Sequence, residues 1–194
     1  MIPMAVIPSD IGTTDAAAAP PLPSRPLSVP EARERLRRSD RVLVHCDGGC
    51  EPNPGVGGFG VVIDCHQVGR VEIIGGEPVT TNNRMELMAV ITALTVLPAN
   101  CQVTIVSDSE YVVKGSTEWA ASRQKKIRKW TDKQKAIRKD APVPNADLWV
   151  HLDGEAAGLR VTWRWVRGHN GHAGNERADA LATQGMMAIR RATP

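Results

Sequence analysis

Apolar positions in the first half of this chain come in short runs. Val42-Leu43-Val44-His45-Cys46, Gly60-Val61-Val62-Ile63-Asp64 and Val71-Glu72-Ile73-Ile74 have strand length and strand composition, and short glycine-rich spacers separate them. Connections that short predict neighbouring antiparallel strands. Over residues 83–97 the pattern changes to leucine, methionine, isoleucine and valine around most of a helical circumference, with Pro98 following, which predicts a mostly buried helix. Val103-Thr104-Ile105-Val106 is again a strand. Helical segments are predicted over 110–115, with breaks over 117–139, and over 146–157. Residues 160–166 alternate as a half-buried strand, and 175–189 read as a closing helix. The order of three strands, helix, strand, helices, strand and helix predicts an α/β fold, a five-stranded mixed sheet with helices on both faces.

The stretch ahead of the first strand is different. Residues 1–27 are rich in proline and alanine, without a periodic apolar pattern, and are expected to be a disordered leader. Ser28-Val29-Pro30-Glu31 has the form of a capping box and predicts a short charged helix over 31–38. The folded domain is expected to span 41–190, leaving 1–40 as leader and 191–194 as a short tail.

Composition narrows the class. A chain of 194 residues, 42% hydrophobic and 23% charged, suits one globular domain and excludes a disordered protein. It contains no apolar run of membrane-spanning length, and Met1-Ile2-Pro3-Met4-Ala5-Val6-Ile7-Pro8 lacks the flank and length of a signal peptide. A cytoplasmic address is expected, with Cys46, Cys50, Cys65 and Cys101 as reduced thiols. The net charge is +3, but residues 123–139 hold nine basic side chains against Asp132, which leaves the remainder at about −5. Such a stripe suits a polyanionic partner, or simply a solvated helix face.

Four acids occupy informative places. Asp47 ends the first predicted strand, Glu86 lies in the first turn of the buried helix, Asp108 ends the fourth strand, and Asp179 is in the closing helix. Each alone has a plain structural reading: a turn before Gly48, a cap beside Ser109, a surface partner for Arg177. If the first and fourth strands are neighbours, however, Asp47 and Asp108 lie side by side and the buried helix can bring Glu86 to them. Clustered carboxylates repel one another, and a hard divalent cation relieves the repulsion. Oxygen-only ligation suits magnesium or manganese better than zinc. Cys46 and Cys50 lack a second pair at zinc-ligand spacing.

The segments around these acids carry a family resemblance. Asp47-Gly48-Gly49-Cys50-Glu51-Pro52-Asn53-Pro54-Gly55, Thr80-Thr81-Asn82-Asn83-Arg84-Met85-Glu86, Ser107-Asp108-Ser109-Glu110-Tyr111-Val112 and Gly168-His169-Asn170-Gly171-His172-Ala173-Gly174-Asn175-Glu176-Arg177-Ala178-Asp179 closely resemble the four signature blocks of bacterial type 1 ribonuclease H. The likeness covers about residues 41–190 and implies the ribonuclease H-like fold, with three antiparallel strands and two parallel additions. It also implies cleavage of the RNA strand of RNA:DNA hybrids, with Asp47, Glu86, Asp108 and Asp179 holding two Mg2+ ions, or Mn2+ in their place. The implied products carry 5′-phosphate and 3′-hydroxyl ends. His169 matches the family's mobile histidine, which assists proton movement or product release, whereas His172 is expected to pair with its loop or cap the closing helix.

For substrate, the resemblance implies that Gly48, Gly49, Cys50, Asn53, Asn82 and Glu110 lie on the groove-facing surface, and that Thr81 and Arg84 grip a DNA phosphate. Glu110 departs from the glutamine common there, and a carboxylate accepts but does not donate. The stripe over 123–139 aligns with the family's basic protrusion, and Trp119 with the aromatic beside its channel. Trp149 suits packing or contact equally. Trp163 and Trp165 face one side of the last strand and are expected in a core or sheet-face cluster without functional role. The expected partner is an RNA:DNA hybrid, bound by a monomer with no membrane association. Two other readings share the fold, a silent hybrid-binding module and a DNA-acting nuclease; the intact acids argue against the first and the Thr81-to-Glu86 block against the second.

Overall fold

A computed structural model describes residues 25–133 and 143–193. The leader up to residue 24, residues 134–139 of the expected helical run with 140–142 after them, and residue 194 lie outside the described residues.

Three long strands, β1 (Arg41–Cys50), β2 (Gly55–Cys65) and β3 (Gly69–Thr80), form an antiparallel meander. Ahead of them lies helix α1 (Val29–Leu36). Helix α2 (Asn82–Thr95) follows the meander, and strand β4 (Gln102–Ser107) returns parallel to β1. Helices α3 (Glu110–Ser116), α4 (Ala120–Lys133) and α5 (Ala146–Ala156) lead to β5 (Arg160–Trp165), parallel to β4, and α6 (Ala173–Ala192) closes the domain. The sheet order is β3-β2-β1-β4-β5, as the element order predicts.

The strands run further than their apolar runs. β1 continues through Asp47-Gly48-Gly49-Cys50, and β2 begins at Gly55 rather than near Gly60. The glycines between the apolar runs are paired strand residues and not spacers, since ladder hydrogen bonds need backbone and not side chains. Their bareness has a use, because a Cβ on Gly58 or Gly60 of β2 would collide with the α6 backbone at Ala182 and Met186 or at Ala178. Helix and sheet therefore meet at backbone distance.

The main core lies on the other face of the sheet, where α2 buries Met85, Leu87, Ala89, Val90, Ile91 and Leu94 against β1 and α5. The larger of these side chains each contribute about 1.5–3 kcal/mol on leaving water. The α6 face is thinner, built on Val62, Ala178 and Leu181. Beside it Glu72 is fully buried and takes a bidentate ion pair from Arg177 at 2.7 and 2.8 Å. Arg177 therefore pairs with Glu72 and not with Asp179.

Helix α1, ahead of the domain start expected at Arg41, packs on the main core. Helix α1 has the reciprocal Ser28–Glu31 capping box and buries Ala32 and Leu36 completely in the main core. Leu27 donates its N–H to Glu72 O at 2.7 Å, so the packed body includes residues ahead of the first strand. Two apolar side chains four residues apart are enough to dock a helix this short, but too few to register as an apolar period in so charged a segment.

Candidate active site

Because β1 and β4 are parallel neighbours, Asp47 and Asp108 come to the same end of the sheet. Asp47 sits three residues inside β1, and Asp108 follows the last residue of β4. Helix α2 crosses there and supplies Glu86 as its fifth residue, just past the first turn, because the helix begins one residue earlier than the sequence suggests. Gly48 permits this, since its Cα lies against the α2 backbone at Met85 and Glu86 where a Cβ has no room. Carboxylate oxygens of Asp47, Glu86 and Asp108 all lie within 4.8 Å of one another.

Three acids this close are electrostatically costly. Burial, joined by the Asp108 charge and then by Asp179, pushes Asp47 up to about 7 against a bond from the Gly48 N–H that favours the anion. Burial and the charges of Asp47 and Asp108 push Glu86 well above the carboxylate range, and its Oε2 has no hydrogen-bond partner among the described residues. An all-oxygen set with an unsatisfied buried oxygen fits a hard divalent cation, which supplies both the missing partner and the opposing charge. Asp179, half-buried on α6, acts on Asp47 through its charge but is outside the cluster of three.

The groups that hold Asp108 are not singled out by the sequence. Asn175, 3% exposed on α6, donates Nδ2 to Asp108 Oδ2 at 3.2 Å. Trp165 donates its indole N–H to the Asp108 carbonyl at 2.9 Å, and Gly168 lies against the carboxylate where a Cβ has no room. Trp165 is 47% exposed and lies outside the core, whereas Trp163 packs against it. Alternation along β5 assigns both indoles to one face, but only the register with β4 reveals that the second reaches a strand end. Asn175 stands inside the fourth signature block, and its i, i+4 spacing from Asp179 is the signal that could have found it.

His169 is exposed in the β5–α6 loop and has a left-handed backbone, φ 50°, with Gly171 at φ 74°. That backbone region is sparsely populated by residues other than glycine. His172 occupies the N-cap position of α6 without a side-chain cap bond, and its ring lies 5.0 Å from that of buried His45.

The other expected contact residues differ in how far they are already engaged within the protein. A Cβ on Gly49 would meet open space, while one on Gly48 would meet the α2 backbone. The Cys50 thiol donates to Pro52 O and Thr80 O, and Asn53 Oδ1 accepts from the Asn82 N–H at 3.3 Å, which ties the β1–β2 turn to the start of α2. Thr81 is the α2 N-cap residue, with no cap bond from its side chain. Arg84 is paired with Asp147 at 3.1 Å, and Glu110 with Lys114 at 2.8 Å. Trp119, 47% exposed, borders an apolar cavity of about 380 Å³ that Tyr111, Pro144 and Trp149 also line. Trp149 itself is packing: it is 1% exposed, donates to Tyr111 Oη at 3.0 Å and lies 4.2 Å beneath the Arg123 guanidinium. Arg123 is buried and bidentate to Asp153, so it drops out of the solvent-facing stripe, whereas Lys125, Lys126, Arg128 and Lys129 remain exposed.

A mixed sheet with a tight acidic cluster at the ends of two parallel central strands defines a metal-dependent hydrolase of the ribonuclease H-like fold. The sequence model of the RNase H family matches residues 39–187. The chain is 51% identical over 148 residues to a ribonuclease H of Polaromonas sp. strain JS666, covering 75% of this chain and 88% of that one. Against the ribonuclease HI of Pseudomonas aeruginosa PAO1 it is 47% identical over 152 residues, 78% and 97% of the two chains. Among solved structures, LC9-RNase H1, a type 1 enzyme with the type 2 active-site motif, matches with TM-score 0.62 and 32% identity over 77% of this chain and 74% of its own. The N-terminal RNase H domain of a Mycobacterium tuberculosis protein matches with TM-score 0.56 and 25% identity, over 80% and 100%. The chain belongs to the ribonuclease H family, on its bacterial type 1 (ribonuclease HI) branch.

Proposed function

We propose that this enzyme hydrolyses the RNA strand of RNA:DNA hybrids at the acidic cluster, leaving 5′-phosphate and 3′-hydroxyl ends. The observation that carries the reading is the approach of Asp47, Glu86 and Asp108 oxygens to within 4.8 Å inside a chain of this family. Asp47, Glu86, Asp108 and Asp179 would hold two Mg2+ ions, or Mn2+ in their place, and these would supply activation of a water and charge stabilisation for the departing oxygen of an in-line displacement.

The chain's own residues do the rest. Asn175 holds the Asp108 carboxylate and Trp165 its main-chain carbonyl, which together keep the side chain aimed into the pocket. His169, exposed on its loop beyond the Gly168 that touches Asp108, moves a proton to or from the reacting phosphate oxygens. Gly49, Cys50, Asn53, Asn82 and Glu110 face the minor groove, where ribose 2′-hydroxyls distinguish RNA from DNA. Thr81 and Arg84 grip a DNA phosphate, for which Arg84 exchanges its Asp147 partner, and Trp119 and the exposed lysines of α4 follow the DNA strand. The enzyme acts as a monomer in the cytoplasm. Among the described residues, no helix is long and apolar enough to cross a membrane.

Matched RNA:DNA, RNA:RNA, DNA:DNA and single-stranded RNA substrates, with and without magnesium, test the proposal. Cleavage of the hybrid's RNA strand alone, and only with the metal, is the expected result. Equal cleavage of DNA:DNA would favour the DNA-acting alternative, and hybrid binding without cleavage the silent module. Replacing Lys125, Lys126 and Lys129 together by alanine should weaken hybrid binding and lower its log–log salt slope by up to about 3, since each phosphate contact contributes nearly one counterion. An unchanged slope would place the grip elsewhere.

A further inference from the structure

Helix α6 connects two regions of the molecule that have so far stood apart. Its first turns carry Asn175 and Asp179 at the acidic cluster, and its body lies on the glycines of β2 and β3. Its last turn reaches the connection between β1 and β2. There Arg190 donates from Nη2 to the Glu51 carbonyl at 2.7 Å, with the Glu51 carboxylate 3.5 Å away.

That connection is the turn bearing Cys50 and Asn53. Inside it the Glu51 N–H bonds Val56 O at 2.9 Å, and Cys50 Sγ donates to Pro52 O at 3.1 Å. Outward it is tied to β3 and α2 by Cys50 to Thr80 O and by the Asn82 N–H to Asn53 Oδ1. Those ties approach from the α2 side of the sheet. Residues 51–54 are exposed, and Arg190 ties them from the α6 side, a charged donor on a main-chain carbonyl. We propose that Arg190 is a positioning residue for substrate, holding the β1–β2 turn in the shape that presents Cys50 and Asn53 to the hybrid. The inference rests on the proposed hybrid cleavage and extends it to a residue with no contact to Asp47, Glu86, Asp108 or Asp179.

Arg191 is the natural control. It has the same charge one position on, is exposed, and lies beside Ile74 and Met187 on the β3 side of the helix. The experiment compares the full-length wild type with Arg190→Ala, Arg190→Lys and Arg191→Ala. Arg190→Ala should raise KM for the hybrid about 3–10-fold with kcat within about twofold, because the lost contact acts on binding and not on the reacting atoms. Lysine, which can still donate to the carbonyl, should recover most of the loss, and Arg191→Ala should stay close to wild type. Hydrogen exchange at the Glu51 amide should accelerate in Arg190→Ala alone, as a freed turn opens more often. Equal KM values, or equal effects of the two alanines, would overturn the proposal, the second by showing a mere loss of charge. Exchange is read on the protein alone, so an unchanged Glu51 amide defeats the tie even if no substrate is cut. A wild type that leaves hybrids intact would instead defeat the proposed hybrid cleavage.

Discussion

Asp47→Asn abolishes hybrid cleavage, by about 10³-fold or more, and at the same time makes the metal-free protein more stable at pH 8. The first effect follows from removing a charged ligand at the centre of the cluster, where stabilising the charge that develops on the reacting phosphate matters more than any other catalytic contribution. The second follows from the cost of that charge. With its carboxyl pushed up to about 7 from an ordinary 3.8, Asp47 binds a proton more readily in the folded protein than in the unfolded chain. Between about pH 4 and pH 7 the folded state therefore holds more protons, and metal-free stability falls as pH rises through this window and stays reduced above it. Glu86, displaced in the same direction, adds to the slope. Asparagine keeps a side-chain oxygen for the Gly48 N–H but carries no charge, so the gain should be about 2–4 kcal/mol at pH 8 and vanish below about pH 4. Denaturant melts in EDTA at the two pH values check it, and equal stability at pH 8 would mean that the acids do not strain the fold. Magnesium should raise the melting temperature of the wild type and leave that of the variant unchanged.

The second large effect is expected at a residue with no chemistry of its own. Gly48→Ala places a methyl group where the α2 backbone at Met85 and Glu86 already stands. Both neighbours are main chain, in a helix locked by eight buried residues, so α2 must shift bodily and take Glu86 with it. Overpacking of this kind costs about 1–3 kcal/mol or more. A displacement of a fraction of an ångström at a metal ligand should lower kcat by about 10²-fold. Gly49→Ala, one position along and facing open space, is the comparison and should fold as well as wild type. If Gly48→Ala retained wild-type stability and kcat, close contact between β1 and α2 would not be what places Glu86.

Much of this is legible in the chain because it depends on local period. The strands show as apolar runs, α2 as a buried helix ended by Pro98, and the Ser28–Glu31 box as a helix start that the structure reproduces. The strand ends are not legible, because glycine pairs in a ladder without showing an alternating side chain, and so Asp47 looks terminal when it is internal. Arg123 reads as one cation of a stripe, but a guanidinium with a bidentate partner and an indole face can be buried, and composition does not reveal partners. Trp165 reads as packing until parallel pairing with β4 sets it beside Asp108.

Which residues can ligate, the order of the elements, and the four blocks that mark the family are properties of residue type and spacing, and the linear chain suffices to establish them. The convergence of three of the four acids to within 4.8 Å, with Asp179 outside their cluster, emerges only on folding, as does the inclusion of α1 in the core. So does the path of α6 from the acids to the turn at Glu51. Those relations depend on register across the sheet and on how closely a helix can approach bare backbone. They are distances between remote parts of the chain, set by packing, and no local pattern encodes them.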